Sequence, residues 1–332
     1  MCTAVTYQTK DFYFGRNLDM DYRYNEEITV TPRGYSFPLR NGMLLKTKYA
    51  MIGMATVELD YPLYYEATNE KGLSLAGLNF PGNAIYLKSL EGKDNIAPFE
   101  LIPWILGQCA NLNQAMALLQ NINIWGAPFS EKFPLSPLHW MLADKSGCAV
   151  LEPIAEGLQI HDDPVGILTN NPPFPFHIYN LTRYMQVTAR QPENRFCTAL
   201  DMKPYSLGMG SIGLPGDMSS PSRFVRAAFT KLNSVSGSSE ADSVGQFFHI
   251  LGCVCQQRGL TCTDGNRYEY TQYSSCCNCD KGIYYYTTYG NSQITAVDMY
   301  REDLDGSRIL RFPVIREQQI RLQNCRCEET KD

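Results

Sequence analysis

The sequence predicts an α+β fold in which antiparallel sheets are covered by helices. Two observations carry this expectation. Short β-rich runs fill the first third and return after residue 266, with helical segments between them and no regular strand–helix alternation. That order disfavours a doubly wound parallel sheet. The chain is also long enough, at 332 residues with 44% hydrophobic content, to bury a substantial core as one large domain or two modest ones.

The strands are expected at Thr3–Tyr7, Phe12–Gly15, Ile28–Thr31, Met51–Val57, Tyr64–Thr68 and Leu73–Leu78, where β-branched, aromatic and alternating apolar residues concentrate. Asn69-Glu70-Lys71-Gly72 reads as the turn of a hairpin. Pro98–Ile122 carries apolar residues at helical spacing, including Leu101, Ile102, Ile105, Leu106, Leu112 and Met116. A Pro-rich loop over Trp125–Pro137 leads into strand candidates at Leu138–Leu142, Cys148–Pro153, Leu158–His161 and Gly166–Thr169. Helix is expected from Pro221 to Leu232 and over Ser238–Gln256, then strands at Arg267–Tyr273, Gly282–Tyr289 and Gln293–Asp298. Residues Gln319–Asp332 are polar and expected to be peripheral.

A net charge of −5 argues against a general nucleic-acid binder, and no stretch approaches the ~20 apolar residues that span a bilayer. No basic segment followed by an apolar one opens the chain, so cytoplasmic residence is expected. Twelve cysteines in such a chain read as reduced thiols. Eight of them, Cys253, Cys255, Cys262, Cys276, Cys277, Cys279, Cys325 and Cys327, crowd the last quarter without paired C-x-x-C knuckles. No metal and no cofactor is expected. A metal-dependent binding protein built on this cluster is the competing class of function.

The residue that points to chemistry is Cys2. Initiator methionine is generally removed before a small side chain, and loss of Met1 would leave one residue with both a thiol and a free α-amine. That amine titrates near ~7.7–8.0, and such an amine can activate an N-terminal nucleophile as its base. Phe14-Gly15-Arg16-Asn17-Leu18-Asp19-Met20-Asp21 supplies the supports such a nucleophile needs. A following antiparallel strand would bring Arg16 and Asp19 beside Cys2. There, Arg16 would favour the thiolate and Asp19 would accept a hydrogen bond from the amine. The bland alternative is an Arg16–Asp19 salt bridge at a strand end. The four histidines, His139, His161, His177 and His249, are scattered and make no Cys-His motif.

Met1-Cys2-Thr3, Phe14-Gly15-Arg16-Asn17-Leu18-Asp19 and Thr31-Pro32-Arg33-Gly34-Tyr35 resemble the opening of the choloylglycine hydrolase family, which contains bile salt hydrolases and penicillin V acylases. The likeness continues in order through Asn69-Glu70-Lys71-Gly72-Leu73, Gly77-Leu78-Asn79-Phe80, Pro134-Leu135-Ser136-Pro137-Leu138, Leu168-Thr169-Asn170-Asn171-Pro172 and Ser222-Arg223-Phe224-Val225-Arg226. It resumes at Tyr273-Ser274-Ser275-Cys276-Cys277-Asn278 and Asn291–Met299. The resemblance implies a single domain over residues 2–332 with an N-terminal-nucleophile hydrolase αββα sandwich, two antiparallel sheets lying between helical layers. It implies that Cys2 attacks an amide carbon and forms a thioester, with its α-amine as base. By the same resemblance, Arg16, Asp19 and Arg223 support that group. Asn170 donates to the oxyanion through its side-chain amide, and Asn79 donates through its backbone N–H. A homotetramer is also implied.

In this family an asparagine in Gly-Leu-Asn accompanies bile salt hydrolases, whereas penicillin V acylases tend to carry tyrosine there. Asn79 therefore implies glycine- or taurine-conjugated bile acids as the small-molecule substrate, with penicillin V or another N-acyl amide as the alternative. The thioester also admits acyl transfer to other amino acids. An apolar wall for the steroid is expected from Met20, Leu63, Tyr65, Ile124, Phe129, Phe133 and Leu135, because the resemblance places the binding loops there.

Overall fold

The computed structural model describes residues 1–324, so Cys325 and Cys327 of the cysteine cluster, and residues 325–332 of the polar tail, lie outside the described residues. Two large antiparallel sheets stack face to face, each covered by helices on its outer side, which is the expected αββα sandwich. One sheet runs Ile167–Leu168, Cys2–Gln8, Phe12–Met20, Tyr268–Asn278, Ile283–Thr288, Asn291–Asp298. The other runs Gly157–Asp162, Gly147–Ile154, Leu138–Asp144, Ser74–Asn79, Tyr61–Asn69, Met51–Glu58, Glu27–Thr31, Leu310–Pro313.

Hairpin chemistry explains most of the connections. The Asn69–Gly72 turn closes with Gly72 in the left-handed region at φ +86°, where glycine is favoured. The Asn69 amide turns back to donate to the carbonyls of Leu106 and Cys109, both at 2.8 Å, and so caps a helix of the outer layer. Pro98–Ile122 is not one helix. It divides into Leu101–Leu106 and Leu112–Leu118, and the second starts where the Asn111 side chain accepts from the Gln114 N–H at 3.0 Å. The strand at Leu310–Pro313 and the helix at Phe174–Asn180 carry no obvious sequence signal; the helix follows directly on Pro172-Pro173.

Helices Ser220–Asn233 and Glu240–Gly252 pack on the first sheet, and Leu101–Leu106 packs on the second. One apolar core joins the inner faces of both sheets to Phe224, Phe247 and Ile250. A second core lies under the Leu101–Leu118 helices and contains Leu75, Trp104, Trp140 and Ile124. Cys276, Cys277 and Cys279 are buried in the first of these cores. Among the described residues, no three His, Cys, Asp or Glu side chains are grouped to hold a metal ion, and no helix is long and apolar enough to cross a membrane.

Candidate active site

Cys2 opens the first strand, which lies between the short edge strand Ile167–Leu168 and Phe12–Met20, and the pairing Cys2↔Leu18, Thr3↔Asn17, Ala4↔Arg16 fixes what surrounds it. Alternation along the second strand sends neighbouring side chains to opposite faces. Arg16 reaches the facing sheet and donates to the carbonyls of Tyr65 (3.1 Å) and Gly77 (2.6 Å). Asn17 reaches the helical layer and donates to the Leu251 carbonyl at 3.0 Å. Gly15, just before them, has to lack a side chain, because a Cβ there would lie 1.9 Å from the Ser275 carbonyl oxygen.

Behind Cys2, three groups converge. Its backbone N–H donates to Asn170 Oδ1 at 2.8 Å, and Arg223 Nη2 donates to the same oxygen at 2.7 Å. Arg223 Nη1 donates to the Cys2 carbonyl at 2.5 Å and to Thr3 Oγ1 at 2.6 Å. Asn170 Nδ2 donates to the Asn79 carbonyl at 2.7 Å, which brings the two expected oxyanion donors together. Ser220 Oγ accepts from the Asn170 N–H at 2.8 Å, and His177 Nε2 lies 2.9 Å from the Asn170 carbonyl. Burial lowers His177 to about 4, so it supports this carbonyl as a neutral ring.

Asp19 is fully buried. Its Oδ1 accepts from the Thr271 hydroxyl at 2.6 Å, while its Oδ2 has no partner among the described residues. Burial pushes the Asp19 carboxyl above its usual range, against the pull of Arg223, the chain's amino group, the Thr271 hydroxyl and Arg16. Arg16 is also fully buried, and its Nη2 has no partner among the described residues. Burial works against its charge, but Cys2, Tyr273, Glu66 and Asp19 together hold the guanidinium above its ordinary value. Met1 stands against this cluster. Its amino group donates to the Asp19 carbonyl at 2.9 Å and pairs with Glu269, and its own carbonyl accepts from the Asp19 N–H at 3.0 Å.

A cavity of about 410 Å³ opens beside Cys2, lined by Arg16, Asp19 and Asn79 together with mostly apolar side chains. Met20, Leu63, Tyr65, Phe129, Phe133 and Leu135 line it. Ile124 does not: it is 4% exposed and packs in the core under the outer helices, so its place in the wall is corrected to a core position. An apolar side chain between two loops reads the same whether it faces a cavity or a core. Tyr22, Tyr24, Phe99 and Trp140 line the cavity without having been expected there. The sequence reading also missed Glu66, which is 2% exposed and lies 3.8 Å from Arg16 Nη1. A single carboxylate inside the strand-like run Tyr64-Tyr65-Glu66-Ala67-Thr68 was the available signal. His139 takes no part near Cys2, since it stacks on Phe80 and bonds Glu152 and the Thr169 carbonyl.

Comparison with known proteins agrees with this geometry. Residues 2–312 match the linear amide C–N hydrolases of the choloylglycine hydrolase family. The chain is 52% identical to the bile salt hydrolase/transferase of Lactiplantibacillus plantarum, over 96% of this chain and 98% of that one. It superposes with TM-score 0.91 and 38% identity on a crystal structure of a variant conjugated bile acid hydrolase from Clostridium perfringens, covering 97% of this chain and all of the other. The penicillin V acylase of Agrobacterium tumefaciens, at 19% identity and TM-score 0.75 over 94% of this chain and 91% of that one, shares the fold. With its αββα sandwich and its thiol at the second residue, the chain belongs to the choloylglycine hydrolase family of linear amide C–N hydrolases.

Proposed function

We propose that the enzyme hydrolyses glycine- or taurine-conjugated bile acids, with Cys2 as its nucleophile once Met1 has been removed. The observation that carries this reading is a largely apolar cavity of about 410 Å³ with its polar groups gathered around Cys2. A steroid amide has the matching character, a large apolar body with one polar bond. The names of the L. plantarum and C. perfringens relatives support the same substrate class.

In the proposed reaction the freed α-amine takes the thiol proton and the sulfur attacks the amide carbon. Asp19, through its Oδ2, orients the amine, and Arg16 and Arg223 balance charge around it. Asn170 Nδ2 and the Asn79 N–H hold the tetrahedral oxyanion. As the C–N bond breaks, the ammonium returns its proton to the departing amino acid and leaves a Cys2 thioester. Water, deprotonated by the same amine, then releases the free bile acid. An amino acid in place of water would yield a new conjugate, the transfer activity that the relatives' names carry. While Met1 is attached, the nitrogen of Cys2 is an amide bonded to Asn170 and cannot act as a base.

Three measurements test the reading. Intact mass is expected to show loss of Met1 from the active protein. Cys2→Ala is expected to abolish turnover with folding intact, and retained activity would falsify the nucleophile assignment. Taurocholate is expected to be cleaved faster than penicillin V; the reverse order would move the substrate to penicillin-type amides. Cytoplasmic residence and homotetrameric assembly belong to the same proposal, and cell fractionation and light scattering test them.

A further inference from the structure

Arg16 and Glu66 meet across the sandwich, and Tyr273, Ser275 and Tyr284 surround the carboxyl. Glu66 projects from Tyr61–Asn69 of the second sheet toward three hydroxyls of the first. Tyr273 donates to Oε2 at 2.8 Å, Ser275 to Oε1 at 3.0 Å and Tyr284 to Oε1 at 2.5 Å, with Arg16 Nη1 at 3.8 Å from Oε2. Burial pushes the Glu66 carboxyl above its usual range, and Arg16, Tyr284, Tyr273 and Ser275 pull it back. Three hydroxyl donors and a guanidinium suit an acceptor, so the group is read as the carboxylate. Glu66 and Tyr284 are absent from the lining of the cavity beside Cys2, whereas Arg16 and Cys2 line it together.

Buried ion pairs between apolar layers are weak contributors to stability, because desolvation offsets their attraction. A carboxylate placed in the sandwich core therefore calls for a reason, and the charge count provides one. Arg16 and Arg223 are positive, Asp19 and Glu66 negative, so the four buried charges around Cys2 sum to zero. Without Glu66 the sum is one positive charge beside the thiol. Met1, Glu269 and Asp21 line the cavity, Tyr273 and Tyr284 bond Glu66, and Cys277 lies near Tyr284. Of these, Glu66 is the anion in direct contact with Arg16.

We propose that Glu66 is a positioning residue of the active site: from the facing sheet it offsets the charge of Arg16, which the Tyr65 and Gly77 carbonyls hold in place, and thereby sets the proton affinity of Cys2. This deepens the Cys2 mechanism proposed above and rests on it. The test is the pH dependence of Cys2 alkylation by iodoacetamide in the mature full-length enzyme, read on the Cys2-containing peptide, together with kcat and KM. In Glu66→Gln the alkylation midpoint is expected to fall by about one pH unit, as removal of a neighbouring anion favours the thiolate. Its kcat is expected to drop roughly tenfold to a hundredfold as Arg16 loses its counter-charge and the Cys2 site its charge balance, with KM nearly unchanged. Glu66→Asp keeps the charge but withdraws it, and is expected to give a smaller shift and partial recovery of kcat. It carries the test if Glu66→Gln does not accumulate. A wild-type midpoint in either folded variant overturns the proposal, whereas activity in Cys2→Ala would instead overturn the mechanism beneath it. A purely structural Glu66 would lower the yield of folded protein and leave the midpoint unmoved.

Discussion

Replacing Asn170 by aspartate separates the two halves of one amide. Its oxygen holds the Cys2 N–H at 2.8 Å and Arg223 at 2.7 Å, and a carboxylate can keep both bonds. Its nitrogen donates to the Asn79 carbonyl at 2.7 Å, and that donor is lost. Beside Arg223 the new carboxyl stays ionised at neutral pH, so it cannot replace the donor. Loss of one oxyanion donor is worth ~2.7–4 kcal/mol, so kcat is expected to fall about 10²–10³-fold. The ion pair with Arg223 offsets only part of the cost of setting the new carboxylate oxygen against the Asn79 carbonyl, so a stability loss of roughly 1–3 kcal/mol is expected as well. Asn170→Ala, by contrast, removes both halves and leaves Arg223, the Cys2 N–H and the Asn79 carbonyl short of a partner. It is expected to lose roughly 3 kcal/mol of stability as well as activity, since charged bonds contribute more than neutral ones. Steady-state kinetics on a conjugated bile acid and urea denaturation measure the two quantities. An Asn170→Asp enzyme within tenfold of wild-type kcat would refute the donor role.

Phe133→Ala, in the cavity wall, is expected to raise KM for the steroid amide about tenfold with kcat little changed, as an apolar contact is lost equally from ground and transition state. Ile124→Ala is expected to do the opposite, costing about 2–5 kcal/mol of stability through a core cavity and leaving KM alone. His177→Gln probes pH dependence. Because burial holds folded His177 at about 4, the unfolded chain binds a proton that the folded one refuses between ~6.5 and that value. Wild-type stability is therefore fully present above ~6.5 and falls by about 3 kcal/mol as the pH drops toward 4. The variant is expected to show a flatter profile in denaturation curves taken across that range, and an equally steep profile would exclude His177 as the cause.

What the sequence discloses about the site follows how local each signal is. Cys2, Arg16 and Asp19 are readable because a tight hairpin folds residues 12–20 back on residues 2–8, and antiparallel register then dictates their proximity. The wall residues are partly readable, since loop position implies exposure to a cavity but Ile124 shows how an identical pattern can sink into the core. Glu66 is readable only as an odd carboxylate within a strand-like run, not as a partner of Arg16. Its role depends on how one sheet is stacked on another, and no period within either strand encodes that offset. The interrupted helix over residues 98–122 fails for a related reason. Apolar spacing carries through Gly107–Asn111, while the caps from Asn69 and Asn111 that divide it draw on a turn some 40 residues away and on one side chain.

The position of the first strand has a consequence for how the chain is handled during synthesis and in the laboratory. Cys2–Gln8 is zipped between two neighbours, and the nitrogen ahead of it is wedged against Asp19 and Glu269. An aminopeptidase needs a free, extended end, so on the proposed maturation Met1 is expected to be removed from the emerging polypeptide before the hairpin closes. A purification handle fused in front of residue 1 would have to thread through the reaction chamber itself, and any such fusion is expected to arrive folded wrongly or catalytically silent.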